Sequence, residues 1–313
     1  MKILVTGASG FLGSSVMPCL KKAGHEVFDP DSVELDLMDE GALQSFIRNY
    51  TPEAIVHLAA NCGGIQYNRK HPADLWYDNT IMGACVLDVS SEYRSIIKRV
   101  VLMATTCGYP RTPKTIPFVE EELWDGIPEP TNASYGIAKR SLAYAAQAYR
   151  RQYDLDVRVL VPTNLYGPHD HFMEPERSHV IPGLMRRLDE ASRLPTPHLT
   201  IWGTGQATRD FLYVEDCAEA IRLTVEKPDW PAAGGPINLG SGQEVSISDL
   251  VFQIAKVMGF QGSISWDPDK PDGQPRRCLN TRKAFEVLKW AAATPLVTGL
   301  EKTWAHYKEA LYD

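Results

Sequence analysis

The chain has few of the features that would place it outside the cell, in a membrane or on nucleic acid. Its six cysteines (Cys19, Cys62, Cys85, Cys107, Cys217, Cys278) are far apart and form no C-x-x-C pair. That spacing suggests neither a zinc site nor a redox dithiol, and reads as free thiols in a reducing cytosol. No apolar run approaches the roughly 20 residues needed to span a bilayer. The amino-terminal run Met1-Lys-Ile-Leu-Val-Thr6 is short and leads into a glycine loop, unlike a secretory signal. There is no basic excess either: the net charge is −7 and the isoelectric point is near 5.7. Such a balance offers no global footprint for nucleic acid, so an anionic ligand must be held by a local cluster. Internal repeats, heptads and low-complexity tracts are also missing. These absences lead us to expect a cytoplasmic protein that keeps its ligands in a pocket.

What is present is ordinary globular composition, 44% hydrophobic and 23% charged over 313 residues, enough for one large α/β domain or two unequal ones. Residues 2–6 form an aliphatic, β-branched run, and residues 11–23 follow with helical character. The alternation continues with strands predicted at 26–28, 54–58, 99–104 and 157–161 and helices at 39–50, 72–93 and 132–153. Strands separated by helical segments imply right-handed crossovers in a doubly wound parallel sheet. After about residue 166 the chain becomes richer in proline, glycine and histidine, and the alternation weakens. The predicted fold is therefore α/β. It has a Rossmann domain over residues 1–165, to which segments of about 200–240 return (a strand at 237–239 among them), and a smaller domain mainly over 166–313.

Two motifs carry chemistry. Gly7-Ala8-Ser9-Gly10-Phe11-Leu12-Gly13 is a G-x-x-G-x-x-G loop at a strand-to-helix junction. Glycines there let the backbone approach a pyrophosphate at a helix amino terminus. About 20 residues further on, Asp29 ends the second predicted strand, where a carboxylate can accept from both ribose hydroxyls of NAD and repel a 2′-phosphate. In the sequence Asp29-Pro30-Asp31 it reads equally as a solvated turn acid. Asp36 is a candidate for the adenine amino group. The second motif, Tyr135-Gly-Ile-Ala-Lys139, puts a phenol and an ammonium on one helix face. A cation there is expected to lower the phenol's pKa and allow proton exchange near neutrality. Thr105, at the end of a strand, would add a hydroxyl to the site. By residue type alone, Cys107 reads as a small buried side chain and His179 as a loop or helix-start histidine. His169 and His171 have H-x-H spacing, but no third ligand is evident and no metal is expected.

The glycine loop, the Thr-Thr-Cys107 segment, the Y-x-x-x-K and Pro162-Thr-Asn-Leu-Tyr-Gly-Pro-His-Asp170 together resemble the GDP-L-fucose synthase family, the 3,5-epimerase-4-reductases of the extended short-chain dehydrogenase/reductase type. Ser178-His-Val-Ile-Pro182, Ile201-Trp-Gly-Thr-Gly205, Arg209-Asp-Phe-Leu-Tyr213 and Lys270-Pro-Asp-Gly-Gln-Pro-Arg-Arg277 extend the resemblance over nearly the whole chain. It implies that Tyr135 and Lys139 are the reductase pair, with Thr105 where the family commonly has serine, and that Cys107 and His179 are the epimerisation acid/base pair. It further implies that Cys107, Asn164, Arg187, Trp202, Arg209 and Asp272 contact a GDP-sugar. Leu58, Ala59, Ala60, Asn79, Pro162, Asn164, Leu165 and His179 join the glycine loop, Tyr135 and Lys139 around NAD(P)H. By the same analogy, helices 72–93 and 132–153 would pair in a homodimer.

The chain departs from that family where it matters for cofactor choice. Family members typically use NADPH and carry arginines in the glycine loop and near the end of the second strand; here those regions offer Ser9 and Asp29. Asp29 favours NAD(H), while the resemblance favours NADP(H). The departure keeps open a GDP-mannose 3,5-epimerase-like enzyme that retains NAD, or a reductase of another GDP-keto sugar. A non-catalytic dinucleotide sensor would be expected to lack the Tyr135/Lys139 pair. The expected phenotypes are loss of epimerisation in Cys107→Ser and loss of reduction in Tyr135→Phe.

Overall fold

The computed structural model describes residues 1–231, 235–270 and 272–312. Its first half alternates as predicted: β1 (Lys2–Thr6), α1 (Phe11–Lys22), β2 (Glu26–Phe28), α2 (Glu40–Tyr50), β3 (Ala54–His57), a short α3 (Ile65–Lys70), α4 (Pro72–Glu92), β4 (Arg99–Met103), α5 (Ala133–Tyr153) and β5 (Val157–Pro162). There follow β6 (Asn164–Tyr166), α6 (Val180–Ser192), β7 (His198–Trp202), β8 (Thr208–Tyr213), α7 (Val214–Glu226), β9 (Ile237–Leu239) and β10 (Glu244–Ser246). The chain ends with α8 (Ile247–Met258), β11 (Ser263–Asp267), β12 (Arg276–Arg277), α9 (Arg282–Leu288) and α10 (Leu296–Tyr312).

Six strands form a parallel sheet in the order β2-β1-β3-β4-β5-β9. Their aliphatic runs are what burial on both faces demands. Leu4, Ile55, Val100 and Val159 point into a core shared with Leu43 and Ile47 of α2, Val86 of α4 and Leu142 of α5. The alternate residues Ile3, Val5, Val56 and Val101 point the other way, onto Val16 and Leu20 of α1 and Ile221 of α7. The sheet is thus doubly wound in the Rossmann manner. From β1 the chain passes to β2 on one side and then to β3 on the other, so the crevice beyond the carboxyl ends of β1 and β3 is the switch point at which such sheets bind ligands.

The expected return of the chain to this sheet from about residue 200 starts later, at α7. β7 pairs with β11, and β8 pairs with β6, β10 and β12, outside the main sheet. The alternation of β8 explains its position. Leu212 joins the α7 core, whereas Phe211 and Tyr213 face a third core built from Tyr166, Leu184, Leu188, Ile254 and Leu300. Residues 232–234 of the returning segment lie outside the described residues. Among those described, no helix is long and apolar enough to cross a membrane.

Candidate active site

The crevice at the switch point is narrow because of its glycines. Gly7 has φ +71°, and a Cβ on it would stand 2.6 Å from the Ala59 nitrogen; a Cβ on Gly13 would collide with the Ala8 carbonyl. The loop is therefore drawn against both α1 and the Leu58-Ala59-Ala60 segment after β3. Gly10 is the N-cap of α1, with no side-chain cap and no acidic residue in the first turn. The free N–H groups and positive dipole end of the helix remain available to an anion, flanked by Ser9, Phe11 and Leu12. These features fit the pyrophosphate of a dinucleotide. Asp29 is exposed one residue beyond β2, 3.9 Å from the Lys21 ammonium. A carboxylate and a cation thus stand together just beyond the carboxyl end of β2. Asp36 accepts from the Met38 nitrogen at 2.9 Å and shapes its own turn. Asn79 is buried inside α4 and donates to the Asn61 and Leu75 carbonyls at 2.7 Å, which fixes the loop after β3.

One wall of the cleft is built by β4, the turn after it and α5. Thr105 extends from β4, and its hydroxyl accepts from the Cys107 nitrogen at 3.2 Å, capping the 3-10 turn Thr106–Gly108. Against that turn lies Gly136, where any Cβ would collide with the Cys107 carbonyl. The small residue following Tyr135 lets the first turn of α5 sit directly on the Cys107 turn. Lys139 is one helical turn further on and only 2% exposed. Burial pushes the Tyr135 phenol well above its ordinary value, and the thiols of Cys62 and Cys107 add to the effect. This corrects the expectation that Lys139 lowers it: the groups perturbing the phenol are the two thiols, while burial pulls Lys139 itself down to about 8. A phenol that keeps its proton is suited to give it to an alkoxide. Burial and the Lys139 charge also hold His57 down at about 3, so it stays neutral. The His57 Nδ1 meets the Thr6 hydroxyl at 2.9 Å.

The second wall comes from the smaller sheets and α6. Pro162 ends β5; Leu165 lies in β6, and the Asn164 amide donates to the Asp210 carbonyl at 2.9 Å. Arg209 of β8 donates to the Thr208 and Gln274 carbonyls at 2.7 Å. Burial, and then the neighbouring charge of Arg277, lower its pKa to about 10. Arg277 is 8% exposed, held by the Gln274 oxygen at 3.0 and 3.1 Å, and points a guanidinium nitrogen at the Cys107 sulfur from 3.8 Å. Two guanidinium groups, one feeling the charge of the other and the other 3.8 Å from the Cys107 sulfur, make a local cationic cluster of the kind an acidic protein needs to hold an anionic ligand. Arg187 of α6 donates to the Thr200 carbonyl at 2.5 Å, and Trp202 is 60% exposed at the end of β7. Both oxygens of Asp272 are engaged by Thr204, at 2.6 and 2.7 Å, so this carboxylate holds the turn after β7. Its neighbour Pro271 lies outside the described residues.

His179 is the N-cap residue of α6, with its side chain 44% accessible. Its Nδ1 faces the carboxylate of Asp170, which is fully buried, at 3.4 Å. The segment between them is clamped to α3: Arg177 stacks 4.7 Å from the centre of the Tyr67 ring and donates to its hydroxyl at 3.3 Å, and Lys70 pairs with Glu176. The Tyr67 hydroxyl in turn donates to Asn61 at 2.9 Å. The two histidines with H-x-H spacing are engaged separately, the His169 ring with that of His306 at 4.1 Å and His171 with Glu174 at 3.2 Å. Sequence reasoning did not single out Cys62, Asp170 or Arg277. Asp170 and Arg277 lie at the ends of motifs already noticed for their neighbours. Cys62 carried no signal, yet its thiol is raised by burial and feels the charge of Lys139 in one wall and of Asp170 in the other.

Residues 3–240 match the NAD dependent epimerase/dehydratase family, and the chain belongs to it. Within that class it is similar to the GDP-L-fucose synthase of Sinorhizobium fredii, 38% identical over 312 residues that cover 100% of this chain and 97% of the relative. It is likewise similar to the GDP-L-fucose synthase of Escherichia coli, 35% identical over 315 residues and covering 98% and 97% of the two chains. Among solved structures, a GDP-L-fucose synthetase from Naegleria fowleri bound to NADP superposes with a TM-score of 0.87 at 28% identity, covering 98% of this chain and 94% of that one. The resemblance read from the motifs is therefore shown, and the chain is an NAD(P)-dependent enzyme of this family.

Proposed function

We propose that the protein converts GDP-4-keto-6-deoxy-mannose to GDP-L-fucose, by epimerisation at C3 and C5 and then NAD(P)H-dependent reduction at C4. The observation that carries this reading is the seating of α5 on the Cys107 turn, which gives one pocket a thiol, a protonated phenol and a buried ammonium. A C4 ketone acidifies the hydrogens on C3 and C5. A base removes one of them, the C–H electron pair moves onto the ketone oxygen, and a donor on the opposite face returns a proton to carbon. Cys107 and His179 supply these two faces. A bound nicotinamide supplies hydride to C4; Tyr135 gives its proton to the C4 oxygen while Lys139 and the Thr105 hydroxyl hold the site in register.

Arg209 and Arg277 take the diphosphate, and Asn164, Arg187, Trp202 and Asp272 frame the rest of the substrate. The glycine loop, with Leu58, Ala59, Ala60 and Asn79, holds the dinucleotide, and Pro162, Leu165 and His179 flank its nicotinamide end. Asp29 favours NADH, with Asp36 nearer the adenine; a strong preference for NADPH in measured affinities would remove Asp29 from that role. The six free cysteines suit a cytoplasmic enzyme. Trp76, Tyr77 and Tyr144, exposed at 48, 51 and 58% on α4 and α5, suit a homodimer through those helices.

The test is incubation with GDP-4-keto-6-deoxy-mannose in deuterated water with NADPH, NADH or neither, followed by mass spectrometry. Deuterium should enter C3 and C5 without added cofactor, and GDP-fucose should form once a donor is present. No deuteration and no cofactor oxidation would discard this substrate.

A further inference from the structure

Resting on the acid/base reading of His179 above, we propose that Asp170 is the positioning residue for that histidine: its carboxylate receives Nδ1–H and turns the opposite ring nitrogen, Nε2, toward the sugar. The two residues are nine positions apart, on either side of an exposed loop, yet the structure brings Asp170 Oδ1 to 3.4 Å from His179 Nδ1. That distance is long for a hydrogen bond, as catalytic contacts often are before substrate closes the site.

The setting of Asp170 is unlike that of a surface acid. Its side chain is fully buried while the imidazole is 44% accessible. Oδ1 is fixed by the His171 backbone nitrogen at 2.7 Å, and Oδ2 is buried with no hydrogen-bond partner among the described residues. Burying a carboxylate with one oxygen unpartnered is costly, and the oxygen that is partnered, Oδ1, is the one that faces the imidazole. The preceding His169 has φ +65°, so the chain adopts a conformation that few side chains favour in order to turn Asp170 inward. The backbone between the pair is also held by the Arg177–Tyr67 and Lys70–Glu176 contacts, so the loop does not depend on Asp170 alone.

A carboxylate on Nδ1–H selects one tautomer and orients the ring. With Nδ1 committed as a donor, Nε2 is the atom that can take a proton from C3 or C5 and return it. Burial opposes the charged imidazolium, but the hydrogen bond and charge of Asp170 outweigh it and hold the His179 pKa above its ordinary value. Among the described residues, ionisable groups near the pair include Cys62 from the loop after β3, whose thiol feels Asp170, Lys139 and Arg177, and the His171–Glu174 pair next to Asp170 in sequence.

The experiment compares the full-length wild type with Asp170→Asn in the cofactor-free deuterium-exchange assay from pH 5 to 9. The expected result is exchange slowed about ten- to a hundredfold. The pH limb that His179 contributes should also move to lower pH, because removing a negative charge makes the imidazolium easier to deprotonate. Unchanged exchange rate and pH profile in Asp170→Asn would overturn the proposal. Nitrogen-15 NMR of histidine-labelled wild type, with His179 assigned by its loss in His179→Gln, tests the pair directly and decides the matter if Asp170→Asn does not fold. A neutral His179 carrying its proton on Nδ1 is expected, and a proton on Nε2 would overturn the proposal. If the wild type itself exchanges no deuterium, the functional reading fails instead, and the nitrogen-15 result still reports on the pair.

Discussion

The two walls of the cleft are held in different ways. The wall that carries Thr105, Cys107, Tyr135 and Lys139 is set by backbone geometry. A strand end runs into a capped 3-10 turn, and a helix is seated on that turn through a glycine that admits no side chain. The wall that carries His179 is set by side chains from distant segments, with Arg177 on Tyr67, Lys70 on Glu176 and Asp170 on the imidazole. The first arrangement rests on a strand end, a capped turn and a close backbone approach. The second joins a buried carboxylate, Asp170, to partly exposed polar contacts of Arg177 and Lys70, and each of those exposed contacts contributes little alone. The difference suggests a fixed thiol and phenol against which a more adjustable histidine closes, and substitutions in the two walls should differ in size accordingly.

The largest effect is expected from Gly136→Ala. The added methyl has backbone, not a flexible side chain, in its way, since the Cys107 carbonyl occupies its position. α5 must therefore lift off the turn. Overpacking of this kind typically costs about 1–3 kcal/mol of stability, measurable as a lower unfolding midpoint in urea. Misplacement of the reacting groups by about 1 Å can cost on the order of 100-fold in rate. Because the shift moves Tyr135 relative to Cys107, deuterium exchange and hydride consumption should both fall. If reduction alone fell, the two groups would not share the scaffold, and the comparison of the walls would break.

That dependence on local geometry also explains what was legible in the sequence. The glycine loop, the six parallel strands and the Tyr135/Lys139 pair are encoded over a few residues by periodicity and turn chemistry, and the structure reproduces their positions with ends shifted by a residue or so. β8 was harder to place, because Leu212 and its neighbours Phe211 and Tyr213 serve different cores and the alternation does not say which sheet the strand joins. The clamp on His179 was not legible. Tyr67 and Arg177 are 110 positions apart, and nothing in either segment announces the other. The lowered phenol expected for Tyr135 failed for a related reason: helix spacing shows that a cation is one turn away, but burial, which raises the phenol and lowers Lys139, is a property of the assembled cleft.

A second prediction sharpens the contrast through pH. Burial brings Lys139 to about 8, so its ammonium loses its proton as pH rises through that value instead of near its ordinary 10.5. In the proposed mechanism the charged form is the one that assists proton delivery from Tyr135, so the reductive step should be constant below about pH 8 and fall roughly tenfold per unit above it. Deuterium exchange, which the proposed mechanism assigns to Cys107 and His179, should not share that limb. In Lys139→Arg, whose guanidinium stays charged at these pH values, the limb should disappear even if the rate is lower. An identical limb in the arginine variant would assign it to another group.

The smallest effect is expected at the clamp. Arg177→Ala removes the stack on Tyr67 and its hydrogen bond, but the Lys70–Glu176 pair and the Asp170–His179 contact remain. A partly exposed cation–π contact contributes about 0.5–1 kcal/mol, which corresponds to a loss of about two- to fivefold in kcat/KM for epimerisation. The Cys107 wall does not depend on this clamp, so the unfolding midpoint and cofactor affinity should stay close to wild type. Because the lost interaction is a charge over a ring, Arg177→Lys should recover part of the rate, whereas Tyr67→Phe should lose only the two hydrogen bonds of the hydroxyl, one from Arg177 and one to Asn61. If Arg177→Ala instead abolished exchange, the histidine wall would be as rigidly determined as its neighbour. The adjustable closure inferred from its side-chain contacts would then give way to a cleft fixed on both sides.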